Sequence, residues 1–95
     1  MAPIRRVVLD LLKPYEPTTQ EFASRVADAS GVKGVNASLV ETDQNVQNLK
    51  LTIEGDDVDF EEVETIVDEL GGAIHSVDQV AAGAHIVEES KTPQD

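Results

Sequence analysis

Ninety-five residues give room for one domain with a modest core, burying roughly 65% of the unfolded surface. The absence of cysteine excludes disulfides, thiolate metal sites and cysteine nucleophiles together, and it suits a reducing cytosol. Nineteen acidic residues against seven basic ones give a net charge of -12, a field that repels nucleic acid and anionic membranes.

The opening segment, MAPIRRVVLDLLKP, has a short apolar run broken by Asp10. It is too short for a signal peptide or membrane helix, so a soluble, cytoplasmic chain is expected. The acids are spread along the chain instead of gathered in one tail. High salt screens repulsion within a few ångströms, so a halophilic setting is the expected reason for this surface.

Ile4 to Leu12 (IRRVVLDLL) predicts a first strand. Val7, Leu9 and Leu11 share one face; Arg6, Val8, Asp10 and Leu12 share the other. Lys13-Pro14-Tyr15-Glu16-Pro17 is expected to end it, since proline donates nothing to a ladder. Thr18 to Ser30 predicts a helix, with Thr18 and Glu21 as a capping box and Phe22, Ala23, Val26 and Ala29 as its apolar stripe. Gly31 supplies the stop.

Gly34 to Asp43 and Asn48 to Gly55 predict the next two strands, joined through Gln44 to Gln47. Leu49, Leu51 and Ile53 alternate with Lys50, Thr52 and Glu54. Asp59 to Leu70 predicts a second helix, again with a capping-box pattern, Asp59 and Glu62. Phe60, Val63, Ile66, Val67 and Leu70 form its buried stripe. After Gly71-Gly72, Ala73 to Gln79 predicts a fourth strand, Ala84 to Glu89 a short fifth one, and Ser90 to Asp95 a tail. The expected organisation is therefore one α+β domain over 1–89, with a tail over 90–95. The order β-α-β-β-α-β is the ferredoxin-like pattern: a four-stranded antiparallel sheet with two helices on one face, plus a short extra C-terminal strand.

The uncovered sheet face is the first place to seek function. Arg6, Asp10, Lys50 and Glu54 fall on it beside Val8, Leu12 and Val40, as either solvated ion pairs or an interface or ligand surface. Asp56, Asp57, Asp59 and Glu62 supply oxygens that suit calcium or magnesium, although EF-hand spacing is lacking. Capping explains Asp59 and Glu62 as well. Ten residues separate His75 from His85, and neither has the partners that zinc needs. No nucleophile arrangement stands out, so no enzyme is expected. Tyr15, Phe22 and Phe60 all lie outside the predicted strands, so base stacking on the sheet is not expected either.

The segments IRRVVLDLLKPYEP, GVKGVNASLVETDQNVQNLKLTIEGDDVDFEEV and GGAIHSVDQVAAGAHIVEESKTPQD resemble the archaeal domain-of-unknown-function family 211 over nearly the whole chain. That resemblance implies a ferredoxin-like fold with an extra C-terminal strand and closed rings of identical subunits, with no catalytic residues to carry over. His85, Ile86 and Val87, in the extension, then become candidates for pairing with a neighbour's sheet edge. The expectation is a non-catalytic, ring-forming binding or regulatory module. A small ligand or a divalent cation would sit at its subunit junctions, and no cofactor beyond that cation is expected. The alternative is a purely structural protein forming rings, stacked rings or tubes.

Overall fold

The computed structural model describes residues 1–89; the expected tail, 90–95, lies outside the described residues. The chain forms β1 (Ile4–Pro14), α1 (Thr19–Val26), β2 (Val32–Thr42), β3 (Val46–Gly55), α2 (Phe60–Glu69) and β4 (Ala73–Ala82). The strands make one sheet in the order β2-β3-β1-β4, with every neighbouring pair antiparallel. This is the expected ferredoxin-like α+β arrangement.

Alternation decides which face is dry. Val7, Leu9 and Leu11 stand opposite Ile53, Leu51 and Leu49. All six are buried, and they form one cluster with Phe22, Val26, Ala29, Val58, Val63 and Val67. Each of the Val, Leu, Ile and Phe side chains contributes about 1.5–3 kcal/mol on leaving water. The residues that alternate with them, Arg6, Val8 and Asp10 on β1 and Lys50, Thr52 and Glu54 on β3, therefore face away from the helices.

Both helix starts are capped as expected. Thr18 Oγ1 accepts from the Glu21 amide at 3.2 Å, and Asp59 accepts from the Glu62 amide. The return halves differ from a full capping box. Glu21 accepts from the Thr18 hydroxyl at 3.1 Å, while Glu62 turns outward to the Ser30 amide at 2.9 Å. α1 ends four residues before Ser30. Asp28 and Ala29 bond back three residues, to Arg25 and Val26, which tightens the chain into the turn before β2. Gly31, at φ +80°, allows the turn to touch the β3–α2 loop, where a Cβ would collide with the Asp57 carbonyl. The Asp56 amide donates to the Gly31 carbonyl across this crossing.

Besides the early end of α1, β2 runs Val32–Thr42 instead of Gly34 to Asp43 and β4 continues past Gln79 to Ala82. Three further departures from expectation have a local reason. β1 continues through Pro14, which stands opposite Val46. Pairing with β4 already stops at Leu12, so the missing proline N–H costs no bond on that side. β3 begins at Val46, leaving only Asp43 to Asn45 as the turn, closed by an Asp43 amide to Val46 carbonyl bond of 2.9 Å.

The third departure is the fifth strand, which does not form. Ala84 to Glu89 makes no ladder. The chain turns at Gly83 (φ +113°) and arginine side chains hold it instead. Arg5 Nη1 donates to the Ala84 carbonyl at 2.8 Å, and Arg6 Nη1 to Glu88 Oε1 at 2.7 Å. His85, Ile86 and Val87 thus lie in a side-chain-tethered strap.

Candidate functional site

The open face has its charge centre at Arg6. Cross-strand pairing sets Gly34, Glu54, Arg6 and Ala81 in one row, and Asn36, Thr52, Val8 and Gln79 in the next. Arg6 Nε donates to Glu54 Oε2 at 2.7 Å, and Nη1 also lies 3.4 Å from Gln79 Oε1. The Arg6 side chain is only 18% exposed, against 69% for Glu88. Hydrogen bonding to Arg6, reinforced by its charge, holds the Glu88 carboxyl below the usual carboxylate range. Next to Glu54 lies a shallow concavity of about 450 Å³, lined by Lys33, Gly34, Val35, Asn36 and Thr52 as well. It is open over Gly34, where an added Cβ would meet nothing within 4 Å.

Further down this face Asp10 and Lys50 stand directly opposite each other. Val8 is buried, whereas Leu12 is 37% exposed. Of the candidate interface residues, the structure brings Arg6 and Glu54 together and leaves Val87 79% exposed.

The acidic loop takes another form. Asp59 caps α2, and Glu62 accepts the Ser30 amide, which lowers the pKa of its carboxyl. Asp56 lies 3.6 Å from Lys33 Nζ. Among the described residues no three His, Asp or Glu side chains converge to hold a metal ion. His75 and His85 are both exposed, the first in β4 and the second in the strap.

The sequence reading missed Lys13. It is 1% exposed at the end of β1, and its ammonium donates to the Pro14 and Pro17 carbonyls, both at 2.7 Å. Burial lowers its pKa, against a smaller opposing effect of Glu16. Tyr15 in the same loop donates to the Asp43 carbonyl and so ties the loop to the β2–β3 turn. Placing Lys13 on the helix face by parity was the one available signal.

The edges carry the exposed aliphatics. On β2 these are Leu39 (52% exposed) and Val40 (59%); on β4 they are Val77 (47%) and Val80 (55%). Leu39 pairs with Leu49, and Val77 and Val80 pair with Leu9 and Val7, so these three belong to the helix side.

Comparison with known proteins gives a family. The DUF211 family, described as an uncharacterized ArCR, matches residues 5–95. The chain belongs to the DUF211 family. One relative, the uncharacterized protein MJ0319 of Methanocaldococcus jannaschii, is 49% identical over 92 residues, covering 97% of this chain and 95% of the relative. No helix among the described residues is long and apolar enough to cross a membrane.

Proposed function

We propose that this DUF211 chain is a non-catalytic, self-assembling binding or regulatory module whose copies join head to tail into a ring. The observation that carries this reading is the pair of long edge strands, β2 and β4, neither paired on its outer side among the described residues and each with exposed aliphatic residues. β2 runs with β1 and β4 runs against it, so β2 of one copy meets β4 of the next antiparallel when the sheet is continued. Leu39 then lies on the same face as Val77 and Val80 of the neighbouring copy, with Val40 on the opposite face. The two surfaces differ, so the contact is heterologous and closes only if its rotation allows. An exposed edge that long invites pairing unless something blunts it. Small ligands would bind on the open face or at the junctions between copies.

The net charge of -12 supports a salt-rich cytoplasmic setting, in which apolar edges associate while like charges are screened. A purely structural ring, stacked ring or tube is the second reading; it draws on the same edges but has no use for the concavity beside Glu54.

The test is the absolute mass of the chain by light scattering in molar KCl, for wild type, Leu39→Lys and Val77→Lys. A discrete multimer is expected for wild type, with a fall toward monomer in either variant. Mixing the two variants should restore only a dimer, since each retains one intact edge. A multimer unaffected by both substitutions would refute the edge contact.

A further inference from the structure

The Arg6 side chain lies on the open face with its guanidinium held between two carboxylates of different kinds. Glu54 is fixed on β3, its neighbour in the ladder. Glu88 comes from the strap, which leaves β4 after Ala82 and turns at Gly83, whose amide donates to the Pro3 carbonyl. Beyond that turn, the bonds that hold the strap among the described residues are those from Arg5 to the Ala84 carbonyl and from Arg6 to the Glu88 carboxylate. Glu88 is thus a carboxylate delivered on a short tether to an otherwise finished site. The floor there is apolar, with Val8 and Ala81 each 8% exposed. The open concavity over Gly34 starts on the far side of Glu54 and offers Thr52 and Asn36 as polar wall.

We propose that the Arg6–Glu54 pair binds small zwitterions of the α-amino-acid type and that Glu88 is a built-in competitor for the ligand's carboxylate. The ligand carboxylate replaces Glu88 at Arg6 Nη1, its ammonium meets Glu54, and its side chain enters the concavity over Gly34. A zwitterion fits better than a plain anion for two reasons. A net charge of -12 repels an anion but exerts no net force on a neutral molecule. Glu54 would also repel a second carboxylate and attracts an ammonium. The strap makes the site conditional, because a tethered carboxylate acts at millimolar effective concentration. This inference rests on the binding half of the function proposed above and is independent of assembly.

The test uses the full chain, with L-serine as probe and acetate and ethanolamine as its two halves, followed by ¹H–¹⁵N NMR. Glu88→Gln should bind L-serine at least about tenfold more tightly than wild type. Shifts should centre on the Arg6 Nε–H and on the amides of Gly34, Asn36 and Thr52. Adding Arg6→Met or Gly34→Val to Glu88→Gln should each abolish that gain. Gly34→Val fills the concavity without touching the ion pair, and valine suits a strand, so it serves if Arg6→Met unfolds. Equal affinity in wild type and Glu88→Gln overturns the proposal, as does L-serine binding that survives both second substitutions. Acetate binding as tightly as L-serine overturns it too. Masses of the same samples separate the two readings. A monomer that gains L-serine on Glu88→Gln keeps this site and loses the ring, and a multimer without that gain does the reverse.

Discussion

Lys13 shows how one side chain organises a loop. A lysine that is 1% exposed must satisfy its ammonium from within the protein, and here the Pro14 and Pro17 carbonyls do so. Lys13→Met keeps most of the volume and strands those carbonyls, so a loss of about 1–3 kcal/mol is expected in urea unfolding. A neutral result would mean that water replaces the ammonium without cost. Glu88 makes a second residue-scale prediction. Its folded-state pKa lies below the ordinary value, so its pairing with Arg6 is complete above about pH 4.3. The contact is lost as pH falls through the lower folded value. An NMR titration of the Glu88 carboxyl should therefore have its midpoint below about 4.3 in wild type and return to the ordinary range in Arg6→Met. Neither residue's partner was legible in the sequence. Arg6 and Glu54 could be set on one face by counting in twos, but Glu88 reaches Arg6 through a turn at Gly83, across 82 positions of chain. Lys13 carries no pattern that distinguishes a caged ammonium from a solvated one.

Elements were easiest to read where the period was clean. Leu49, Leu51 and Ile53 are fully buried, as strict alternation in β3 demands. β4 was harder because its ladder to β1 shifts register around Asp78 and His75. The shifts place Ile74, Val77 and Val80 on one side at a spacing of three, a pattern that neither strand nor helix periodicity describes. The proline rule failed at Pro14 for a local reason: the ladder to β4 had already ended. The fifth strand did not form: Ala84 to Glu89 makes no ladder, and arginine side chains tether the segment at the Ala84 carbonyl and the Glu88 carboxylate. The caps are testable here. Asp59→Ala should cost about 1 kcal/mol in thermal unfolding, since it leaves the Glu62 amide without its acceptor. Val63→Ala, in the fully buried stripe of α2, should cost about 1.5–3 kcal/mol, and more if the cavity fails to collapse. If Asp59→Ala proved the costlier of the two, core burial would not be the main support of α2.

For the whole molecule, the charge and the edges act in opposite directions. In the proposed assembly a net charge of -12 would drive copies apart at low ionic strength, and the aliphatic edges would draw them together. At 1 M salt the screening length is about 3 Å, so repulsion between copies falls away while apolar and main-chain contacts persist. Assembly should therefore strengthen with salt. The Arg6–Glu88 contact, partly exposed, should weaken over the same range, releasing the strap from the open face. Fold and open face followed from alternation and capping, whereas the proposed assembly rests on how much edge the helices leave uncovered, and the extent of that edge was not legible in the sequence. The direct test of the central claim is the absolute mass by light scattering across a KCl series from about 0.1 to 3 M. A discrete multimer that gains population with salt, and that Val77→Lys disrupts, is the predicted result. A monomer at every salt concentration would contradict the claim.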